Sequence, residues 1–217
     1  MASKGGEAAV SPGAPAPVVV WDLGNVLIPW DRHGAMLAAT GDREHATRLA
    51  AEVFTLEVNE LLDRGSPLPH IREVVEGASP GHGWVVDAYV EHFRESLGPQ
   101  MQGSADLLAR LVDIGHRCVG LSNWATITFE GIPEAYPALQ HLEGIVISGE
   151  VGVTKPDERI FRHAQNRFGF EPSQAVFVDD SEANVKGASA CGWDAIHFVD
   201  ATDLEAELIS RGLLTAT

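Results

Sequence analysis

Apolar runs and the polar residues that end them divide the chain into two kinds of segment. Residues Pro17 to Trp21 read PVVVW, a short run rich in β-branched residues, which predicts a buried strand ending at Asp22. From about Asp31 to Gly98 the period is helical. Ala46, Leu49, Ala50, Val53 and Phe54 share one face, and Val86, Tyr89, Val90, Phe93 and Leu97 share another. Gly65, Pro67, Pro69, Gly77, Pro80 and Gly81 cut this stretch into several helices with no strand among them. Leu107, Leu108, Leu111 and Val112 then predict a helix with Ser104 as its N-cap and Gly115 as its stop. Strands follow at RCVGL (117–121), GIVIS (144–148), AVFV (175–178) and AIHFV (195–199). Helices are expected over 156–169, with Pro156 at the first position, and over 182–190 and 202–211.

Strand alternating with helix predicts an α/β fold: a Rossmann-like parallel sheet with helices on both faces. The all-helical stretch interrupts that alternation and reads as an insertion packed over the sheet. The expected organisation is a core made of residues 17–30 and 99–217 and a helical cap made of residues 31–98. Residues 1–16 are small, Gly- and Pro-rich and mostly uncharged, which predicts a flexible tail. They contain no apolar signal core, and no apolar run is long enough to span a membrane, so the expected compartment is the cytoplasm.

Charge narrows the partners. Acidic residues number 31 against 15 basic ones, a net charge of −16. Such a surface repels a nucleic-acid backbone, so no nucleic-acid or membrane partner is expected. A small phosphorylated metabolite remains compatible, because a bound cation and a few local basic groups can reverse the field within one pocket. Two cysteines, Cys118 and Cys191, sit in or beside apolar stretches and are expected as reduced thiols. Monomer and homodimer are both open.

The candidate chemistry collects at predicted strand ends: Asp22 after the first, Ser122-Asn123 after the second, Asp179-Asp180 after the fourth. In open parallel sheets, ligands bind at the carboxyl ends of strands, so these groups converge on one edge. Three carboxylates there would repel one another. A hard divalent cation relieves that cost, and an oxygen ligand set of this kind suits Mg²⁺ beside a phosphate. Lys155, expected at a helix start, would neutralise a carboxylate and a phosphate together. Ser122 and Asn123 offer a hydroxyl and an amide to phosphate oxygens. Trp30, Trp84 and Trp124 are candidates to line a substrate pocket. No zinc-type histidine spacing and no phosphate-binding P-loop motif occurs.

The four blocks WDLGNVL, GLSNW, TKPDERIF and FVDDSEANVKGA, in this order, resemble the four motifs of the haloacid dehalogenase superfamily. The helical stretch after the first block matches that family's cap domain in position and length. Within the superfamily, DLGNV looks like the subfamily IA phosphatases, including those acting on glucose 1-phosphate. The resemblance implies that Asp22 is a nucleophile forming an aspartyl-phosphate. Ser122, helped by Asn123, would bind the phosphoryl group, and Lys155 would hold both. Mg²⁺ would be ligated by Asp22, the Gly24 carbonyl and Asp180, with Asp179 close by through a water. Asn184 would orient Asp180 or a water on the metal.

One position departs from the family pattern. An Asp serving as general acid and base normally stands two residues after the nucleophile, and here Gly24 occupies that place. Loss of such a group costs roughly 10²–10⁴-fold in rate if nothing replaces it. The DLGN variant nevertheless occurs in members regarded as phosphatases, and a sugar C1 hydroxyl is a leaving group that needs less acid help. Asp31 or His33, at the entrance to the cap, are the expected substitutes. Two rival functions follow from the same motifs. A 2-haloacid dehalogenase needs no metal, and Asp179-Asp180 argues against it. A non-catalytic phosphate-ester-binding protein on this fold is kept open by Gly24.

Overall fold

Five short strands carry the sheet: β1 (Val18–Trp21), β2 (Arg117–Ser122), β3 (Ile145–Ile147), β4 (Ala175–Asp179) and β5 (Asp194–His197). They belong to a computed structural model that describes residues 17–216, so the expected tail lies outside the described residues. All pair in parallel, in the order β3-β2-β1-β4-β5. The register aligns Trp21 with Gly120 on one side and Val178 on the other. The residues that follow these positions therefore emerge on the same edge of the sheet.

Helices α1 (His33–Thr40), α2 (Arg43–Glu52), α3 (Leu56–Asp63), α4 (Leu68–Ala78) and α5 (Trp84–Glu91) separate β1 from α6 (Gln102–Asp113), which leads into β2. Short turns α7 (Thr126–Phe129), α8 (Ile132–Ala135) and α9 (Ser148–Val151) surround β3. Then α10 (Glu158–Phe168), α11 (Glu182–Ala190) and α12 (Ala201–Ser210) alternate with the last two strands. None of the described helices is long and apolar enough to cross a membrane.

Side-chain alternation explains why both faces are covered. Val18, Val20, Val119, Leu121 and Phe177 pack with Ile160, Phe161 and Ala164 of α10 and Ala188 of α11. Val19, Trp21, Cys118, Val176 and Val178 pack with the leucines of α6 and α12. That second cluster continues without a break into Met36, Leu49, Phe54, Leu62, Ile71 and Tyr89 of the inserted helices. The entry and exit of the insertion are tied together: Trp30 bridges Leu97 antiparallel, and the Gly98 amide donates to the Pro29 carbonyl at 2.9 Å.

Four local expectations change. Ser104 caps nothing; α6 begins at Gln102, and the Ser104 side chain is buried inside it. Gly115 does stop that helix, with φ at +94°. Pro156 does not open α10. Asp157 caps it instead, its carboxylate accepting from the Arg159 amide, so the helix starts at Glu158. The face from Val86 to Leu97 is split: α5 ends at Glu91, and Phe93–Ser96 is a 3₁₀ turn. β5 begins one residue early, at exposed Asp194, because its pairing with Val176 starts there.

The segment carrying Lys155 is pressed against α11. A Cβ at Gly187 would stand 2.7 Å from Pro156 Cβ and 2.9 Å from the Pro156 carbonyl oxygen. Gly187→Ala should therefore cost about 1–3 kcal/mol of stability, the usual penalty of overpacking, and should be read as a lower urea midpoint with an unchanged slope.

Candidate active site

Asp22 follows the last residue of β1, and its amide still donates to the Val178 carbonyl at 2.9 Å. The side chain is thus held at the sheet edge by the ladder itself. Three donors meet its Oδ1: the Leu23 amide at 2.7 Å, Ser122 Oγ at 2.9 Å and Lys155 Nζ at 2.8 Å. All three fall on the same oxygen, so Oδ2 is the atom these donors leave to a reaction partner.

Lys155 Nζ is enclosed. It donates to Asp179 Oδ2 at 2.7 Å and to the Leu121 carbonyl at 2.8 Å, besides meeting Asp22. Burial works against the ammonium, but the Asp179 and Asp22 carboxylates outweigh it and hold its pKa above that of an ordinary lysine. Lys155 does not stand at a helix N-terminus, as α10 starts three residues later. Its charge comes to the site through this ion-pair triad.

Asp179 is fully buried and saturated. Besides Lys155, Asn184 Nδ2 donates to its Oδ1 at 3.0 Å and its Oδ2 at 3.1 Å, and the Ser181 amide donates to Oδ1 at 2.8 Å. Asn184 thus orients Asp179, where Asp180 was expected. Asp180 is only half-buried, and its Oδ2 accepts from Asn25 Nδ2 at 3.2 Å. Asn25, whose φ is +55°, also accepts from the Trp30 amide at 3.0 Å, so one residue of the first motif braces Asp180 and the insertion's entry together. No side-chain pattern marks that role in the sequence.

Asn123 has an occupation other than the expected one. Its Oδ1 accepts from the Lys155 amide at 2.7 Å and its Nδ2 donates to the Lys155 carbonyl at 3.0 Å. The carboxamide fixes the main chain of Lys155.

Asp22, Asp179 and Asp180 each bring an oxygen within 4.8 Å of the others. Burial pushes the Asp22 carboxyl up to about 7; Lys155 opposes this, while Asp179 and Asp180 add to it. Asp180 is raised by burial and by Asp179. Three carboxylates against one lysine leave an excess of negative charge on hard oxygen donors, a set that fits Mg²⁺.

A cavity of about 640 Å³ opens over this edge. Its floor includes Asp22, Gly24, Ser122, Lys155 and Asp180, and its upper wall comes from the insertion: Leu56, Asn59, Glu60, Asp63, Tyr89 and Phe93. Trp30 and Trp124 line it as expected. Trp84 does not; it is 43% exposed on α5. Stacked and edge-on rings run from Phe54 through Tyr89 and Phe93 to Trp124, joining the insertion to the loop after β2.

The expected acid/base substitutes lie elsewhere. Asp31 and His33 pair with each other at 2.6 Å, their side chains 71% and 43% exposed, and neither lines the cavity. Burial works against the Asp31 carboxylate, but hydrogen bonds from the His33 backbone and ring together outweigh it and hold its pKa below the usual range, the reverse of what a neutral proton donor needs. Asp63, which nothing in the sequence pattern singles out, does line the cavity.

Lys155→Met should cost about 3–5 kcal/mol, because it leaves Asp22 and Asp179 buried against each other without their cation. Without Lys155 the folded-state pKa of Asp22 rises further above its unfolded value. Stability is then retained at low pH and lost as pH climbs through that raised pKa. Denaturant unfolding should accordingly show a smaller loss at pH 5 than at pH 8.

A model of the haloacid dehalogenase-like hydrolases matches residues 17–192. A phosphoserine phosphatase of Thermus thermophilus is 44% identical over 57 residues, 26% of this chain and 23% of that protein, so the match spans under a quarter of that relative. A sesquiterpene phosphatase of Aspergillus oryzae is 24% identical over 83% of this chain and 89% of its own length. Among solved structures, a haloacid dehalogenase family enzyme of Bacteroides thetaiotaomicron, in complex with magnesium and inorganic phosphate, superposes with a TM-score of 0.66. It is 21% identical and covers 86% of this chain and 96% of its own, a likeness of fold.

Proposed function

This chain belongs to the haloacid dehalogenase-like hydrolases, and we propose that it is a Mg²⁺-dependent phosphatase that hydrolyses a small phosphate monoester through an aspartyl-phosphate on Asp22. One observation carries the reading: Asp22 shares its cavity with Asp180, while Ser122 and Lys155 engage its Oδ1 and leave Oδ2 to attack. The two relatives named as phosphatases support it.

Asp22, the Gly24 carbonyl and Asp180 would hold the cation, with Asp179 behind them. When bound, Mg²⁺ supplies positive charge to the phosphoryl oxygens and to the crowded carboxylates. The chain's own residues do the remainder. Lys155 and Ser122 fix the rotamer of Asp22, and the Lys155 ammonium sets positive charge beside the phosphoryl site. Asn123 and Gly187 keep the Lys155 main chain in place. The aromatic upper wall excludes water from the transfer.

The cavity also constrains the ester. Lys155 is the one cation among its lining residues, and its upper wall adds aromatic rings and two carboxylates. A second anionic group on the substrate would find no partner there. A neutral leaving group, such as a sugar or another alcohol, fits that wall. The two cysteines are free thiols, in keeping with a cytoplasmic enzyme.

A phosphate-release screen across sugar phosphates, alkyl phosphates, phosphoserine and p-nitrophenyl phosphate tests the reading. Turnover should require Mg²⁺, vanish on chelation and return on its readdition. Asp22→Asn should fall by at least about 10³-fold on every ester, since covalent catalysis has no second route. No release from any ester by the Mg²⁺-loaded wild type would rule the phosphatase out. Halide release from a 2-haloacid without metal would favour the dehalogenase.

A further inference from the structure

Phosphoryl transfer from Asp22 needs a proton donor for the leaving oxygen and a proton acceptor for the attacking water. Position 24 supplies neither: a Cβ built on Gly24 meets nothing within 4 Å, so no neighbouring side chain fills the place left there. The titratable groups lining the cavity are Asp22, Glu60, Asp63, Tyr89, Lys155 and Asp180. Asp22 and Asp180 belong to the acidic cluster, and Lys155 is locked between two carboxylates and a carbonyl. The Tyr89 hydroxyl accepts from Trp30 Nε1 at 3.0 Å, and burial raises its pKa far out of range. Glu60 is ion-paired with Arg64 at 2.5 Å and accepts from Thr154 Oγ1 at 3.1 Å, so its carboxylate is already engaged.

Asp63 is the group that remains. It closes α3 on the upper wall, and among the described residues no cation pairs with its carboxyl. Asn59 Nδ2 donates to its Oδ2 at 2.7 Å. Its main chain is anchored to the core: Ser148 Oγ donates to the Asp63 carbonyl at 2.6 Å and accepts from the Trp124 amide at 2.9 Å. Trp124 lies two residues after Ser122, so the carboxyl is held over the loop that serves the phosphoryl site. An in-line displacement places the leaving oxygen opposite Asp22, on the side of the insertion.

We propose that Asp63 is the general acid and base of this enzyme, taking the place of the carboxyl missing at Gly24; the assignment rests on the phosphatase reading above. In the first half-reaction Asp22 Oδ2 bonds to phosphorus as the bond to the leaving oxygen breaks. That oxygen takes the Asp63 proton and departs as the alcohol. In the second, the Asp63 carboxylate takes a proton from water, the water oxygen bonds to phosphorus, and the bond from phosphorus to Asp22 breaks. Phosphate leaves with Asp63 protonated again.

The surroundings suit a group that must change state near neutrality. Burial pushes the Asp63 carboxyl up to about 7. The Ala125 amide and Asn59 oppose this, and the negative charges of Glu60 and Asp22 add to it. Facing it are Asn59 and Glu60 from α3, Tyr89 from α5 and Asp22 from the end of β1.

The test compares wild type, Asp63→Asn and the double variant Asp63→Asn with Gly24→Asp, all Mg²⁺-loaded, on p-nitrophenyl phosphate, phenyl phosphate and an alkyl phosphate. Asp63→Asn should lower kcat/KM on the alkyl ester by roughly 10²–10⁴-fold and much less on p-nitrophenyl phosphate, whose leaving group needs little acid. On that ester kcat should still fall, and phosphoenzyme should accumulate, because the second half-reaction has lost its base. The limb of the pH profile near neutrality should disappear. Gly24→Asp, which the open space at that position admits, should restore part of the alkyl-ester rate. Asp63→Ser, which also removes the carboxyl, replaces Asp63→Asn with the same expected losses if the latter does not fold. An equal loss on all three esters, or none, with an active wild type overturns the role of Asp63 alone. An inert wild type overturns the phosphatase reading and this assignment together.

Discussion

A single buried ammonium, Lys155, holds the site together. It meets Asp22 at 2.8 Å and Asp179 at 2.7 Å where neither carboxylate can turn to bulk water. Charges taken out of water are expensive unless their remaining hydrogen-bond capacity is filled. Here it is filled from three directions. The Leu121 carbonyl takes another proton of Lys155, Asn184 and Ser181 complete Asp179, and Ser122 with the Leu23 amide completes Oδ1 of Asp22. The site is therefore a network that is either fully made or strongly destabilising, and the loops that carry it must be positioned accordingly.

That demand explains the tight packing behind it. Asn123 clasps the main chain of Lys155 from the end of β2, and α11 reaches Pro156 through a glycine that leaves no room for a methyl group. On the cavity side, Asn25 couples Asp180 to the first residue of the insertion's entry. A displacement of the helical insertion is thus felt at Asp180 and at Asp63 by short, named contacts.

The sequence made the sheet and its chemical edge legible for a physical reason. Strands buried on both faces are written as unbroken apolar runs, and a polar residue at the end of such a run has only the sheet edge to occupy. Asp22, Ser122 and Asp179-Asp180 were readable on that ground. What escaped depends on tertiary packing. The reach of Asn123 back to Lys155 spans 32 positions with no local signature. The helix start at Glu158 was set by the Asp157 side chain, which caps it one residue beyond the Pro156 expected at the first position. Asp31 looked suited to acid/base work because it stands near the motif in sequence, but in space it is solvent-exposed and paired with His33.

Asp63 shows the same limit from the other side. Next to buried Leu62 at the end of an amphipathic helix, it has the pattern of a solvated terminal residue. Its environment comes from elsewhere: the cavity roof, the Ala125 amide, and carboxylates at positions 22 and 60. Burial raises the Asp63 carboxyl, and the one cation among the residues lining this cavity is already divided between Asp22 and Asp179. The ion-pair triad that occupies Oδ1 of Asp22 therefore also leaves Asp63 unneutralised above it. A single lysine, by being committed to the floor of the site, sets the proton chemistry of its roof.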